Sequence, residues 1–261
     1  SFTKIASSEL LMTIKAGAMM STYQGKLSMS ETEALNTAMP INIVNRLIGN
    51  PTRNYINFLL PGMMLAIVQV AVAMNAASSK IVKKSSGIIE FYKNVMKNLI
   101  DYGILGIVSA VLILAVQHYI FDVPIKASYT SVLLLLIVFM LAVVSMSLLI
   151  ASIFSKKQVF ATQVAAVWFI PSSILSGYSW PLISMPDFFR QISSFMPYTY
   201  FVSTLRNLML KGHSYDYKTN IAMLLILTLS SLILSLVSFV IRKQILKRNI
   251  TLKSLSGRKV L

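Results

Sequence analysis

The chain contains no cysteine. That excludes a disulfide framework, a thiolate metal site and a cysteine nucleophile. Histidine is almost as scarce. His118 and His213 stand far apart without ligand-like spacing, so no metal site is expected. Acidic residues number eight against 24 Lys and Arg. Neither G-x-S-x-G nor H-E-x-x-H occurs, and so poor a stock of acids and histidines leaves no catalytic residue to expect. The phosphate-cradling loop G-x-x-x-x-G-K-[ST] is absent too. Its nearest approach, "YQGKLS", has Met20 and Leu27 where Gly and Ser/Thr are needed, so this chain does not hold ATP by such a loop. Charge is sparse at 12% of residues, whereas soluble domains carry about 25%. The chain opens at Ser1 without a basic–apolar–small leader, and the native N-terminus is expected further upstream.

What fills the space is apolar. Of 261 residues, 56% are hydrophobic, and the mean hydropathy is +0.71. Too few polar groups remain to cover a water-facing surface, and an all-α polytopic membrane protein follows. A helix needs about 20 apolar residues to cross roughly 30 Å of hydrocarbon. Five runs qualify, at about 56–75, 102–121, 131–154, 159–175 and 221–241. None shows the alternation of a barrel strand.

The formal net charge of +16 would suggest nucleic acid in a soluble protein. Its placement says otherwise. Residues 76–98 carry Lys80, Lys83, Lys84, Lys93 and Lys97. The turn after the third run carries Lys156 and Lys157, and the tail after Ile241 adds seven more basic residues. All three segments fall on one side of the membrane. The excess of Lys and Arg on cytoplasmic loops then puts the C-terminus inside, and residues 1–55 and 176–220 outside. The partner implied by the charge is a lipid bilayer, not nucleic acid. An outside start with an odd number of spans calls for a further span upstream. Residues 1–55 read as the back end of an extracytoplasmic domain, with Ser30 and Glu33 as a capping box. Residues 242–261 read as a basic cytoplasmic tail.

Intramembrane charge is minimal. Asp101, Gln117 and His118 sit near span ends, Gln69 lies inside the first span, and no acid lies at a span centre. A proton-coupled carrier usually needs one, so energy is expected from elsewhere. After Gly87, residues Ile88, Ile89, Tyr92, Val95, Met96 and Leu99 line one face of an amphipathic helix over about 87–98. Such a helix either lies along the inner membrane surface or docks a cytoplasmic partner.

The segment 176–212, "SGYSWPLISMPDFFRQISSFMPYTYFVSTLRNLMLKG", is too punctuated by proline to be a span. Pro186–Asp187 starts one short helix; Pro197 stops it and starts another, which Lys211–Gly212 ends. Both are too short to cross. They read as a re-entrant or interfacial hairpin, with Trp180 and the tyrosines at headgroup level, or as a purely structural anchor.

This segment resembles the outer hairpin of ABC type-2 transporter permeases of the drug-exporter-like group. The shared pattern is carried by Ser176, Gly177, Trp180, Pro181, Met185, Pro186, Pro197, Thr199, Tyr200, Arg206, Lys211 and Gly212. "NPTRNYINFLLPG" at 50–62 resembles the family's entry into its second span. The resemblance implies six spans, of which five are in this chain, and a re-entrant outer hairpin. It implies an outer gate in which Tyr178, Trp180, Pro181, Pro186, Pro197, Tyr198, Tyr200 and Arg206 take part. It also makes 87–98 an ATPase-coupling helix acting through Gly87, Glu90, Phe91 and Tyr92, with Ile88 in place of the family's Thr. The implied partners are cytoplasmic ABC ATPase subunits, which bind the ATP and Mg, a second permease, and a periplasmic adaptor. The function expected is export of amphiphilic or hydrophobic, drug-like molecules across a bacterial inner membrane. A secondary transporter or channel, or a non-transporting scaffold of the same architecture, stands as the alternative.

Overall fold

The computed structural model describes residues 17, 19, 22, 55–82, 85–179 and 184–257. The chain divides into two compact units, Ser1–Leu47 and Ile48–Leu261. Of the first, Gly17, Met19 and Thr22 are described, each in helix. The extracytoplasmic domain expected for 1–55 and the Ser30/Glu33 capping box therefore lie outside the described residues, as do Trp180 and Pro181.

The second unit contains α1 (Tyr55–Ala77), α2 (Ile88–Ile120), α3 (Tyr129–Ile153), α4 (Gln158–Phe169), α5 (Ser172–Leu175), α6 (Asp187–Ser194), α7 (Pro197–Lys211) and α8 (Tyr217–Gly257). No strand occurs among the described residues. Five stretches are long and apolar enough to cross a membrane: Leu59–Ala77, Ile88–Ile120, Tyr129–Ile153, Gln158–Leu175 and Tyr217–Ile245. They match the five runs of the sequence, with shifted ends.

The centre is α3. It is apolar on every side, and such a helix belongs inside a bundle. More than half of its 25 residues are buried, and it packs against α1, α2, α4, α7 and α8. Its Phe139 stacks on Phe201 of α7, with ring centroids 3.8 Å apart and planes 9° from parallel, a close face-to-face contact. The Tyr217 hydroxyl donates to the Ser131 carbonyl at 2.9 Å, pinning the start of α8 to the start of α3.

The segment expected as a separate coupling helix over 87–98 differs. It is the beginning of α2, which runs unbroken from Ile88 to Ile120. The reason lies in its buried stripe. Phe91, Val95, Leu99, Gly103, Gly106, Ala110, Leu114 and Gln117 are buried at steps of three and four, so one continuous face leads from the amphipathic part into the span. No proline interrupts it. The fourth run behaves in the opposite way. It breaks between Phe169 and Ser172, where Pro171, lacking an N–H, ends one helix and precedes the next.

Close helix crossing depends on small residues. At Gly106, an added Cβ would lie 2.9 Å from the Met140 sulfur of α3 and 3.4 Å from Val72 of α1. A larger residue there must push α2 from both neighbours. Gly106→Leu is expected to lower stability by about 1–3 kcal/mol. Heating in detergent followed by size-exclusion recovery measures this, with Ile104→Leu, 57% exposed in the wild type, as the unaffected control.

Candidate functional site

Two regions carry the residues singled out by the sequence. They lie at opposite ends of the bundle, a hairpin end and a basic end.

At the hairpin end, α1 has Pro61 followed by Gly62 in its interior. The missing Cβ of Gly62 leaves backbone open to the hairpin, and two tyrosines occupy the opening. The Tyr198 hydroxyl of α7 donates to the Gly62 carbonyl. The Tyr178 hydroxyl accepts from the Gly62 N–H at 3.1 Å and donates to the Leu59 carbonyl at 3.2 Å. Arg206 of α7 closes the cluster. Its guanidinium carbon lies 4.0 Å from the centre of the Tyr178 ring, a cation–π distance, and its Nη2 donates to the Tyr178 carbonyl at 2.9 Å. Burial pushes the Tyr178 phenol up and the Arg206 guanidinium down from their ordinary values. Arginine is basic enough to stay charged all the same.

The structure thus gathers Tyr178, Tyr198 and Arg206 into one cluster on α1. Both tyrosines are buried; neither ring lies at a surface. Tyr200 is separate and donates to the Ser194 carbonyl at 2.8 Å, joining α7 to α6. Pro186 is exposed at the N-cap of α6, and Pro197 is buried as the first residue of α7. Gly212 ends α7 at φ 84°, the left-handed cap that glycine favours. On α6 and its C-cap, Phe188, Phe189 and Phe195 are exposed.

At the basic end, Gly87 is the N-cap of α2 in extended conformation. The Glu90 carboxylate reaches back one turn and accepts from the Ser86 N–H at 2.7 Å and the Ser86 hydroxyl at 2.6 Å. It satisfies the helix start in the manner of a capping box. Phe91 is buried and stacks on Phe239 of α8 at 4.3 Å. Of the four expected coupling residues, Glu90 and Tyr92 have exposed side chains, and Tyr92 is the apolar one. It is 54% exposed, beside Ile88 and Ile89, the latter 76% exposed.

Sequence reasoning missed several partners. Gln69 is fully buried; its Nε2 donates to the Ser172 hydroxyl at 2.6 Å, which in turn donates to the Phe169 carbonyl at 2.6 Å. This pair stitches α1 to the Pro171 break, and a lone glutamine inside a span was the available signal. Asn220 Nδ2 donates to the Thr204 hydroxyl at 2.7 Å, a contact without a sequence pattern. His118 is held by its Nδ1 near the Val123 carbonyl at 2.9 Å. Asp101 is exposed on α2.

At Gly62, an added Cβ would lie 2.4 Å from two Tyr178 ring carbons. Gly62→Ala is therefore expected to cost about 1–3 kcal/mol in detergent thermostability. Adding Tyr178→Ala, which clears the space, gives less loss than the sum of the two single changes, as groups in direct contact do. The raised phenol also keeps its proton, so wild-type stability at this junction is flat from about pH 6 to about pH 9.

Comparison with known proteins adds a family to this geometry. The model of the ABC-2 family transporter proteins matches residues 3–237. The chain is 33% identical over 202 residues to "ABC transporter G family member 20" of Dictyostelium discoideum, covering 73% of this chain and 27% of that protein. It is 30% identical over 209 residues to "Probable multidrug ABC transporter permease YbhS" of Escherichia coli, covering 77% of this chain and 53% of that one. A second Escherichia coli protein, "Probable multidrug ABC transporter permease YbhR", is 22% identical over 179 residues, 66% of this chain and 48% of its own length. The chain thus spans about half or less of each relative's length. No solved structure matches it. A match over nearly the whole chain, on five apolar helices with a Pro–Gly entry and a tyrosine-pinned hairpin, places this multi-pass membrane protein in the ABC-2 transporter family.

Proposed function

We propose that this chain is the permease subunit of an ATP-driven exporter, powered by separate ABC ATPase subunits and working beside a second permease. Its basic end faces the cytoplasm of a bacterial inner membrane, and a periplasmic adaptor meets the opposite side. The observation that carries this reading is the continuity of α2. Its 33 residues span about 50 Å at 1.5 Å per residue. The exposed Ile88, Ile89 and Tyr92 at its base offer an apolar, aromatic patch of the kind that anchors a partner protein. A push there reaches the far end without a hinge.

At that far end, the Phe121 and Val123 N–H groups both bond the Gln117 carbonyl, and the Lys126 N–H bonds the Met209 carbonyl of α7 at 3.1 Å. The turn after α2 is thus tied to the hairpin, whose Tyr198 bonds α1 directly and whose Arg206 holds Tyr178 against it. ATP-driven tilting of α2 would shift this assembly, and the hairpin would restrict leakage at the outer mouth. The cargo is amphiphilic or hydrophobic. Supporting this, Met63, Met64 and Ile67 form an exposed face of α1, and methionine surfaces adapt to varied apolar shapes. Two relatives bear the words "multidrug ABC transporter permease" in their names.

The test is purification of the full-length protein from its native membranes with any bound ABC ATPase, followed by reconstitution in liposomes. Copurification and ATP hydrolysis stimulated by amphiphilic compounds are expected. Ile89→Asp and Tyr92→Ala are expected to cut ATPase retention about tenfold, a loss of roughly 1.4 kcal/mol. Glu90→Ala should leave retention intact and weaken the start of α2 by about 0.5–2 kcal/mol. Absence of any associated ATPase would overturn the reading.

A further inference from the structure

We infer that the cleft between α3 and α8 at the basic end is a binding site for an anionic phospholipid. Two adjoining cavities share Ile153, Lys156 and Arg242. One has about 580 Å³ and is walled by Leu149, Ile153, Leu234, Val237, Ile241 and Ile245. The other has about 290 Å³ and adds Lys157, Phe154 and Phe160. Together they form an apolar trough along two membrane-crossing helices, closed at one end by three cations. Ile153, Leu234, Val237, Ile241 and Ile245 are exposed. Such a row of exposed apolar side chains on two spans suits acyl chains.

The cations are placed for a headgroup. Arg242 follows Ile241 within the last turn of the span, which ends at Ile245, close to where cationic side chains meet the lipid headgroups. Its Nη2 donates to the Ile153 carbonyl, capping the C-terminal end of α3. This bond fixes the planar guanidinium while Nη1 is buried and makes no hydrogen bond among the described residues. Arg242 lines both cavities, and its planar guanidinium has the fork geometry that suits arginine to phosphate. Lys156, Lys157 and Arg242 form no ion pair with a carboxylate among the described residues. Basic pockets between helices on the cytoplasmic side are the usual setting for anionic lipid headgroups. A neutral lipid would leave three positive charges uncompensated, and a free anion would leave the apolar trough unfilled.

Lipid binding here does not rest on the exporter reading; only the assignment to the cytoplasmic leaflet rests on the proposed orientation. Native mass spectrometry of the full chain in detergent tests it, using an equimolar mixture of dioleoyl phosphatidylglycerol and dioleoyl phosphatidylcholine. Retention of phosphatidylglycerol over phosphatidylcholine by about tenfold or more is expected. The double change Lys156→Gln/Lys157→Gln leaves the Arg242–Ile153 bond in place and should bring the ratio down at least about threefold. Arg242→Gln should lower it further, whereas Lys126→Gln, at the opposite end, leaves it unchanged. Equal retention of the two lipids by the wild type would overturn the proposal. So would an unchanged ratio in the Lys156→Gln/Lys157→Gln protein. Displacement of the lipid by millimolar inorganic phosphate would also overturn it, by making the site one for a free anion.

Discussion

Two tyrosine hydroxyls seated on the backbone of α1 at Pro61–Gly62 hold the hairpin end together. A proline inside a helix removes one donor from the ladder, and the following glycine removes the side chain that would shield the backbone. The chain uses that opening. Tyr178 and Tyr198 bring polar groups to the Leu59 and Gly62 carbonyls and the Gly62 N–H, and Arg206 clamps Tyr178 from the other face. These bonds add to the apolar packing of α7 on α3 and α8. With them, Tyr198 and Phe201 enter the core against Phe139 of α3, and the non-spanning hairpin becomes part of the bundle. This is the condition under which such a segment survives at membrane depth.

The basic end is organised by different physics. There, helix ends and cations dominate. Glu90 closes the start of α2 through Ser86, and Lys243 of α8 donates to the Ser86 carbonyl at 2.6 Å. Arg242 caps α3. The Gln158 side chain joins the α3–α4 turn to the end of α1 by donating to the Ser78 carbonyl at 3.1 Å. These contacts join the ends of all five spans, α1, α2, α3, α4 and α8, and they leave Ile88, Ile89 and Tyr92 facing outward. Rigid α2 then connects this end to the hairpin end.

Several residues prominent in the sequence serve roles their pattern did not disclose. Tyr178 and Tyr198 were read as interfacial aromatics, yet both are buried with their hydroxyls satisfied by backbone. Aromatic enrichment marks either a headgroup belt or a packed anchor, and composition cannot separate the two. Glu90, expected at a partner contact, is exposed and also accepts from Ser86 at the start of α2. Phe91 was grouped with it, yet lies against Phe239, more than 140 positions away in sequence. The separate amphipathic helix was an artefact of splitting one stripe at the change from polar to apolar surroundings. The buried positions from Phe91 to Gln117 keep a single phase throughout.

The sequence by itself determined the class of protein, the number and rough limits of the described spans, the polarity of the charges, the helix-starting prolines and the Gly212 cap. These depend on the solvent each residue meets and on local backbone chemistry, both of which are written in neighbouring residues. Only the tertiary structure decided which groups meet across the bundle. Tyr198 and Gly62 are 136 positions apart, Tyr178 and Gly62 are 116 apart, and Arg242 and Ile153 are 89 apart. Hydropathy is a local property, so periodicity places each side chain on a face. The identity of its partner depends on how separate helices pack, and no local pattern encodes that.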